Sequence, residues 1–221
     1  MNVLIIGAYG QVARMVEERI LNEDQFSEIN LKLLLRDKGR LKKYEDNPRV
    51  TLIQGDTTQP DILKKAMEDV DFVYVAFADD FVSSDATANI IKAMEDGKVS
   101  RVLATSSIGL ETEEPNEDFS KWNQGILKNI LPGLRHSAKL YEDSVLDYTI
   151  IRFGWLNDGD EVKYEITVRG EKFAGISDTR KSVVDAILKI IKDPSLYSKD
   201  VIGVSDPDTK DVKKLNINFA L

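Results

Sequence analysis

With 221 residues, 42% of them hydrophobic and 31% charged, the chain has the size and composition of one α/β unit and is short for two. A net charge of −8 and a pI of about 4.9 argue against a polyanionic partner, so nucleic acid is not expected, while a small anion is still compatible with a local basic pocket. There is no cysteine, which excludes disulfides and thiolate chemistry. The N-terminal apolar run lacks a preceding basic segment and is too short for a signal peptide or a membrane span, so no membrane association and a cytoplasmic location are expected.

Val3 to Ile6 form a short unbroken apolar run, the pattern of a parallel strand covered on both faces. Gly7, Gly10 and Ala13 follow at spacings of three. The first permits a sharp turn off the strand, the second lets a pyrophosphate approach the backbone, and the third allows close helix–sheet packing. An anion there sits on unpaired helix N–H groups. Gly7, Ala8, Tyr9, Gly10, Gln11, Val12 and Ala13 are therefore the candidate cofactor cradle. Met15, Val16, Ile20 and Leu21 continue the helix at helical spacing.

The second strand, residues 31–37, ends in Arg36 where NAD-binding folds usually carry an acidic residue for the ribose hydroxyls. Arg36 and Arg40 could together clamp a 2′-phosphate; the plainer alternative is two solvated arginines in a charged loop, with Asp37 free to pair or to turn toward the ribose. A third strand over Val50–Gln54 leads to Gly55, Asp56 and Thr57, where Asp56 either accepts the adenine amino group or caps the next turn. Pro60 opens a helix with Leu63, Ala66 and Met67 inward. The fourth strand, DFVYVAF, brings Ala76, Phe77 and Ala78 to its carboxyl end beside a cofactor ribose. A helix from about Asp85 to Glu95 follows, and a fifth strand, residues 101–107, ends in Thr105, Ser106 and Ser107.

Glu111 to Asp118 read as an acidic surface loop, with Trp122 beyond it as a lid or as an anchor. A helix from about His136 to Val145, a strand over 147–153, a β-like excursion over 161–175, a helix ending before Pro194 and a last strand complete the chain. Strands alternating with helices predict a doubly wound parallel sheet with its ligand at the carboxyl ends of the strands. Residues 1–221 are expected to form a single Rossmann domain, with the substrate pocket contributed by about 107–180.

Taken together, IIGAYGQVAR, LLLRDKGRL, QGD, ATSSIG, KLYEDSVLDYTIIRFGWL and ISDTRKSVVDAI resemble the atypical short-chain dehydrogenase/reductases, in particular the NAD(P)H-binding group that includes NmrA-like proteins and the biliverdin-IXβ and flavin reductases. The resemblance spans nearly the whole chain and implies a Rossmann fold and a nicotinamide cofactor. It places Gly7, Gly10 and Ala13 at the pyrophosphate, Arg36 at the 2′-phosphate, Asp56 at adenine and Ala76 beside the nicotinamide ribose. Lys139 matches the family lysine, which holds ribose hydroxyls, yet Arg135 stands where the proton-donating tyrosine belongs, and an arginine releases no proton. Ser107 matches a substrate-side serine, whereas Trp155 replaces a histidine; His136 reads as a surface or capping residue.

The resulting expectation is NADP(H), in preference to NAD(H), and a hydride transfer to a small flat acceptor such as a flavin, walled by Phe77, Phe81, Phe153 and Trp155 with Ser107 donating a hydrogen bond. Two alternatives stand beside it: a redox-sensing regulator without turnover, and an epimerase or dehydratase. No metal is expected, and the chain is expected to be a monomer or a homodimer.

Overall fold

The computed structural model describes residues 1–79 and 84–215; Phe81 lies outside the described residues. Strand β1 (Asn2–Ile6) occupies the middle of the sheet because Val3, Leu4, Ile5 and Ile6 are all buried, two on each face. It pairs in parallel with β2 (Asn30–Leu35) on one side and β4 (Phe72–Val75) on the other. The sheet order is β3-β2-β1-β4-β5-β6-β10-β8, in which β3 (Val50–Gln54), β5 (Arg101–Ser107), β6 (Asp147–Phe153) and β10 (Asp200–Ser205) are parallel. The edge strand β8 (Glu165–Thr167) runs antiparallel to β10, an addition to the expected parallel sheet. A separate parallel pair, β7 (Trp155–Asn157) with β9 (Ser177–Thr179), sits beyond the end of β6.

Side-chain alternation along the strands divides the interior into two cores. Val3, Ile5, Leu33, Tyr74 and Leu103 pack beneath α1 (Gln11–Asn22) and α6 (Arg180–Lys192). Leu4, Ile6, Val73, Val102 and Ile150 face α2 (Pro60–Ala66), α3 (Asp85–Asp96) and α5 (Leu131–Asp143). Each fully buried Val, Leu or Ile contributes about 1.5–3 kcal/mol, so neither layer of helices is dispensable. Because β1 is followed by β2 on one side while β4 returns on the other, the loops leaving β1 and β4 diverge and open a crevice at the carboxyl edge.

Two expectations need correction here. The acidic stretch Glu111–Asp118 is not simply a surface loop: Glu113 and Glu114 are 5% and 3% exposed, and the segment leads into a helix, α4 (Glu117–Ile126). Asn116 caps it, its Oδ1 accepting from Phe119 N at 2.8 Å, and Glu117 and Asp118 lie in its first turn. Sparse apolar periodicity and Gly125 hide this helix from pattern reading. The helix expected from His136 begins earlier, at Leu131, with Pro132 in its first turn.

Candidate functional site

The turn after β1 is shaped by its backbone. Gly7 has φ +83°, a conformation side chains rarely adopt, and an added Cβ would come within 3.1 Å of Phe77 Cδ1. The amides of Gly7 and Ala8 both donate to Leu34 O, at 3.0 and 3.2 Å, tying the turn to β2. Gly10 caps α1 with no side-chain hydrogen bond, and the first turn contains no acidic residue. The leading N–H groups of a twelve-residue helix are thus left for an outside acceptor. A Cβ on Gly10 would rest 3.4 Å from Gly7 O and 3.5 Å from Ala76 O, ordinary contact, so no protein neighbour requires glycine there. Ala13 is fully buried between helix and sheet. These features fit a pyrophosphate.

Beside this turn, over the carboxyl ends of β1, β4, β5 and β6, lies a cavity of about 240 Å³. Gly10, Gln11 and Val12 form one wall, and Ala76, Phe77 and Ala78 form the next. Tyr74, Thr105 and Phe153 contribute from the strands, and Leu156 and Arg180 close the far side. Asp79 fastens the chain after β4 by accepting from Thr87 N and Thr87 Oγ1, at 2.9 and 2.7 Å.

Residues 7–194 match the family model for NAD(P)H-binding proteins. The chain belongs to that family. A short-chain dehydrogenase/reductase from Veillonella parvula solved in complex with NADP is 28% identical, with a TM-score of 0.88 over 98% of this chain and 99% of that one. A Rossmann-fold NAD(P)-binding family protein from Shigella flexneri is 32% identical, with a TM-score of 0.76 and 98% of both chains covered. The anaerobilin reductase ChuY from Escherichia coli O157:H7, at 20% identity and a TM-score of 0.76 over 94% of this chain and 98% of that one, shares the fold. A search of curated proteins returns no match. The fold is the NAD(P)-binding Rossmann fold, and the cofactor is a nicotinamide dinucleotide.

On the adenosine side, Arg36 and Arg40 are both exposed at the end of β2. The Arg40 guanidinium lies 4.6 Å from the centre of the Tyr9 ring, and Arg14, unanticipated from sequence, lies 4.8 Å from it. Asp37 is committed elsewhere, its Oδ1 accepting from Gly39 N at 3.0 Å. Asp56 Oδ1 likewise accepts from Thr58 N at 3.0 Å, so one carboxylate oxygen serves the turn before α2. Gly55 is there for packing, since a Cβ would fall 2.4 Å from Ile62 Cγ2. Thr57 accepts from Asn89 Nδ2 through its carbonyl, at 3.0 Å.

The acceptor side differs more from expectation. Phe77, Phe153 and Thr105 line the cavity, but Ser107, Trp155 and Lys139 do not. Ser107 Oγ donates to Ile108 O at 3.3 Å. Ser106 is buried on the opposite face of β5, as alternation requires. Lys139 sits on the exposed face of α5 and pairs with Asp143 at 2.6 Å, four residues on. Arg135 braces the loop after β5, donating to Leu110 O at 2.7 Å and to Gly109 O at 3.0 Å. His136 is exposed. Trp155 donates from Nε1 to Asn123 Oδ1 at 3.0 Å and packs on Trp122 at 5.2 Å, which makes Trp122 an anchor in a small separate core with Phe119, Ile108 and Phe173.

This wall is held by a buried ion pair. Arg152, 1% exposed, places Nη1 3.1 Å from Glu113 Oε1, and the same carboxylate accepts from Gly109 N and Glu111 N at 2.9 and 2.7 Å. Burial raises the Glu113 carboxyl above its usual range against the pull of Arg152. Sequence reading also missed Tyr74, Leu156 and Arg180. Tyr74 was legible, because it shares a strand face with Ala76; Arg180 follows Thr179, whose Oγ1 caps α6 by accepting from Ser182 N at 3.0 Å.

Proposed function

We propose that this protein is an NADP(H)-dependent reductase acting on a flat conjugated acceptor. The observation that carries the reading is the cavity itself, which joins the glycine turn to two aromatic rings, Phe77 and Phe153, at the point where the strand order reverses. When bound, the dihydronicotinamide supplies a hydride, so the chain's own task is to orient the two rings and exclude water. Gly10–Val12 hold the pyrophosphate, Ala76 and Ala78 leave room for the ribose, and Phe77, Phe153 and Leu156 present apolar surface to the acceptor. Arg36, exposed at the end of β2, and the Arg40 and Arg14 guanidiniums beside Tyr9 favour the 2′-phosphate, and Asp37 Oδ1 is already engaged by Gly39 N. The NADP bound in the V. parvula relative supports the same preference.

A second reading, a dinucleotide-binding redox sensor of the NmrA-like kind, rests on the spent state of Arg135 and Lys139: neither provides a tyrosine–lysine acid. The deciding experiment follows loss of the NADPH absorbance with a panel of flavins, quinones and linear tetrapyrroles. Turnover with any of them supports the reductase; tight dinucleotide binding without oxidation of any acceptor supports the sensor. NADPH is expected to bind about ten- to a hundred-fold more tightly than NADH, with most of that preference lost in Arg36→Ala combined with Arg40→Ala. Equal affinities in the native protein would remove the arginines from the site.

A further inference from the structure

Among the described residues that line the cavity, Arg180 is the only charged one. It belongs to the acceptor wall. The parallel register of β7 with β9 sets Asn157 beside Thr179, so the residues that follow, Asp158 and Arg180, meet at the end of the strand pair that also contributes Leu156. Arg180 Nη1 donates to Asp158 Oδ1 at 2.6 Å, the two side chains being 22% and 88% exposed. A pair with one partner almost wholly in water contributes little and exchanges readily. Among the described residues this is the only hydrogen bond of the guanidinium, which leaves most of its five N–H donors for a ligand. Nor does the loop that carries Asp158 depend on it. Thr179 Oγ1 donates to Glu161 O at 2.6 Å, Lys163 N donates to Ser182 Oγ at 3.0 Å, and Lys181 pairs with Asp160 at 2.7 Å.

We propose that Arg180 recognises an anionic substituent, a phosphate or a carboxylate, on the flat acceptor, and exchanges Asp158 for it. The proposal rests on the reductase reading above and narrows it to acceptors that carry an acid group. Asp158 already shows the chemistry this position takes, a carboxylate oxygen on the guanidinium. An entering phosphate or carboxylate offers two oxygens to the planar fork, which fixes both its position and its orientation. The conjugated ring attached to it then lies against the apolar surface of Phe77, Phe153 and Leu156, and the two contacts together hold it in one pose beside the nicotinamide. With a net charge of −8 the molecule as a whole does not attract anions, so selection for an acidic acceptor has to come from a guanidinium inside the cavity.

The test uses two flavins that share one ring, flavin mononucleotide with its phosphate and riboflavin without it. Each is titrated into the full chain saturated with NADP⁺, at one fixed ionic strength, with binding read from flavin fluorescence. The native protein should bind the mononucleotide about ten- to a hundred-fold more tightly than riboflavin. That ratio should fall to near one in Arg180→Gln and to an intermediate value in Arg180→Lys, which keeps the charge without the fork. In Asp158→Asn, where the guanidinium is released from its resident carboxylate, the mononucleotide should bind about two- to five-fold more tightly than in the native protein. Circular dichroism establishes first that each variant is folded. Equal affinities for the two flavins in the native protein, binding of neither, or a preference that persists in Arg180→Gln would overturn the assignment. An equal loss of NADPH and NADH affinity in Arg180→Gln, with the flavin preference intact, would overturn it in favour of the pyrophosphate. The reductase reading is judged separately, by oxidation of NADPH. A flavin preference carried by Arg180 without oxidation would fault only that reading, whereas oxidation by both flavins at equal affinity would fault only the role of Arg180.

Discussion

Between Gly7 and Arg14, one short stretch of chain supplies the cradle, the helix N-terminus and a guanidinium beside Tyr9. The opposite wall needs β5, β6, β7, α4 and α6, and its parts are fastened by side chains far apart in sequence: Glu113 to Arg152, Trp155 to Asn123, Arg135 to Leu110. The cradle works through backbone geometry, which is why glycine stands at positions 7 and 10. The acceptor wall works through buried polar pairs that fail when one partner is removed. On the proposed reading, binding the dinucleotide and choosing an acceptor are thus separable properties of the protein.

The largest expected effect is an exception on the cradle side. Glu17 holds its proton in the folded protein up to about pH 8, whereas the unfolded chain releases it near 4.5. Between those values the native state binds the additional proton, so stability is greatest below the lower one and falls as pH rises through the upper one. At 1.36 kcal/mol per unit the loss is on the order of 5 kcal/mol. Urea unfolding at a series of pH values should show a steeper fall in stability between these two pH values in the native protein than in Glu17→Gln; parallel slopes would place the carboxylate in water.

Next in size is the acceptor wall. Glu113→Ala leaves Arg152 buried without its counter-charge and should cost about 3–5 kcal/mol of unfolding free energy. Turnover should fall further than NADPH affinity, and equal losses in both would contradict the separation of the two halves. Gly10→Val tests the converse: dinucleotide binding weaker by at least about a hundred-fold in a protein that still folds, because the side chain occupies ligand space and its Cβ meets the protein only at ordinary contact distance. A folded Gly10→Val protein with native affinity would move the pyrophosphate elsewhere. The smallest effect belongs to Trp155→Phe, which keeps the ring on Trp122 and removes the bond to Asn123, for about 1–2 kcal/mol in the same unfolding assay.

The glycine turn, the alternation of the central parallel strands with their main helices and the family were determined by the sequence alone, because each depends on local periodicity, on glycine's freedom at φ +83° or on motifs within a few residues. Helix α4, the burial of Glu113 and the withdrawal of Lys139 and Trp155 from the cavity were decided only by tertiary structure. An acidic, turn-rich segment carries no local sign that a distant Arg152 will make its burial favourable, and although Asp143 four residues on marks a local partner for Lys139, only the packing of α5 shows which of its faces is turned to solvent. Glu17 sits between the two cases: its helical position was plain in the sequence, but only the packing of α1 on Tyr74 and Tyr44 turned a surface-type residue into a buried acid.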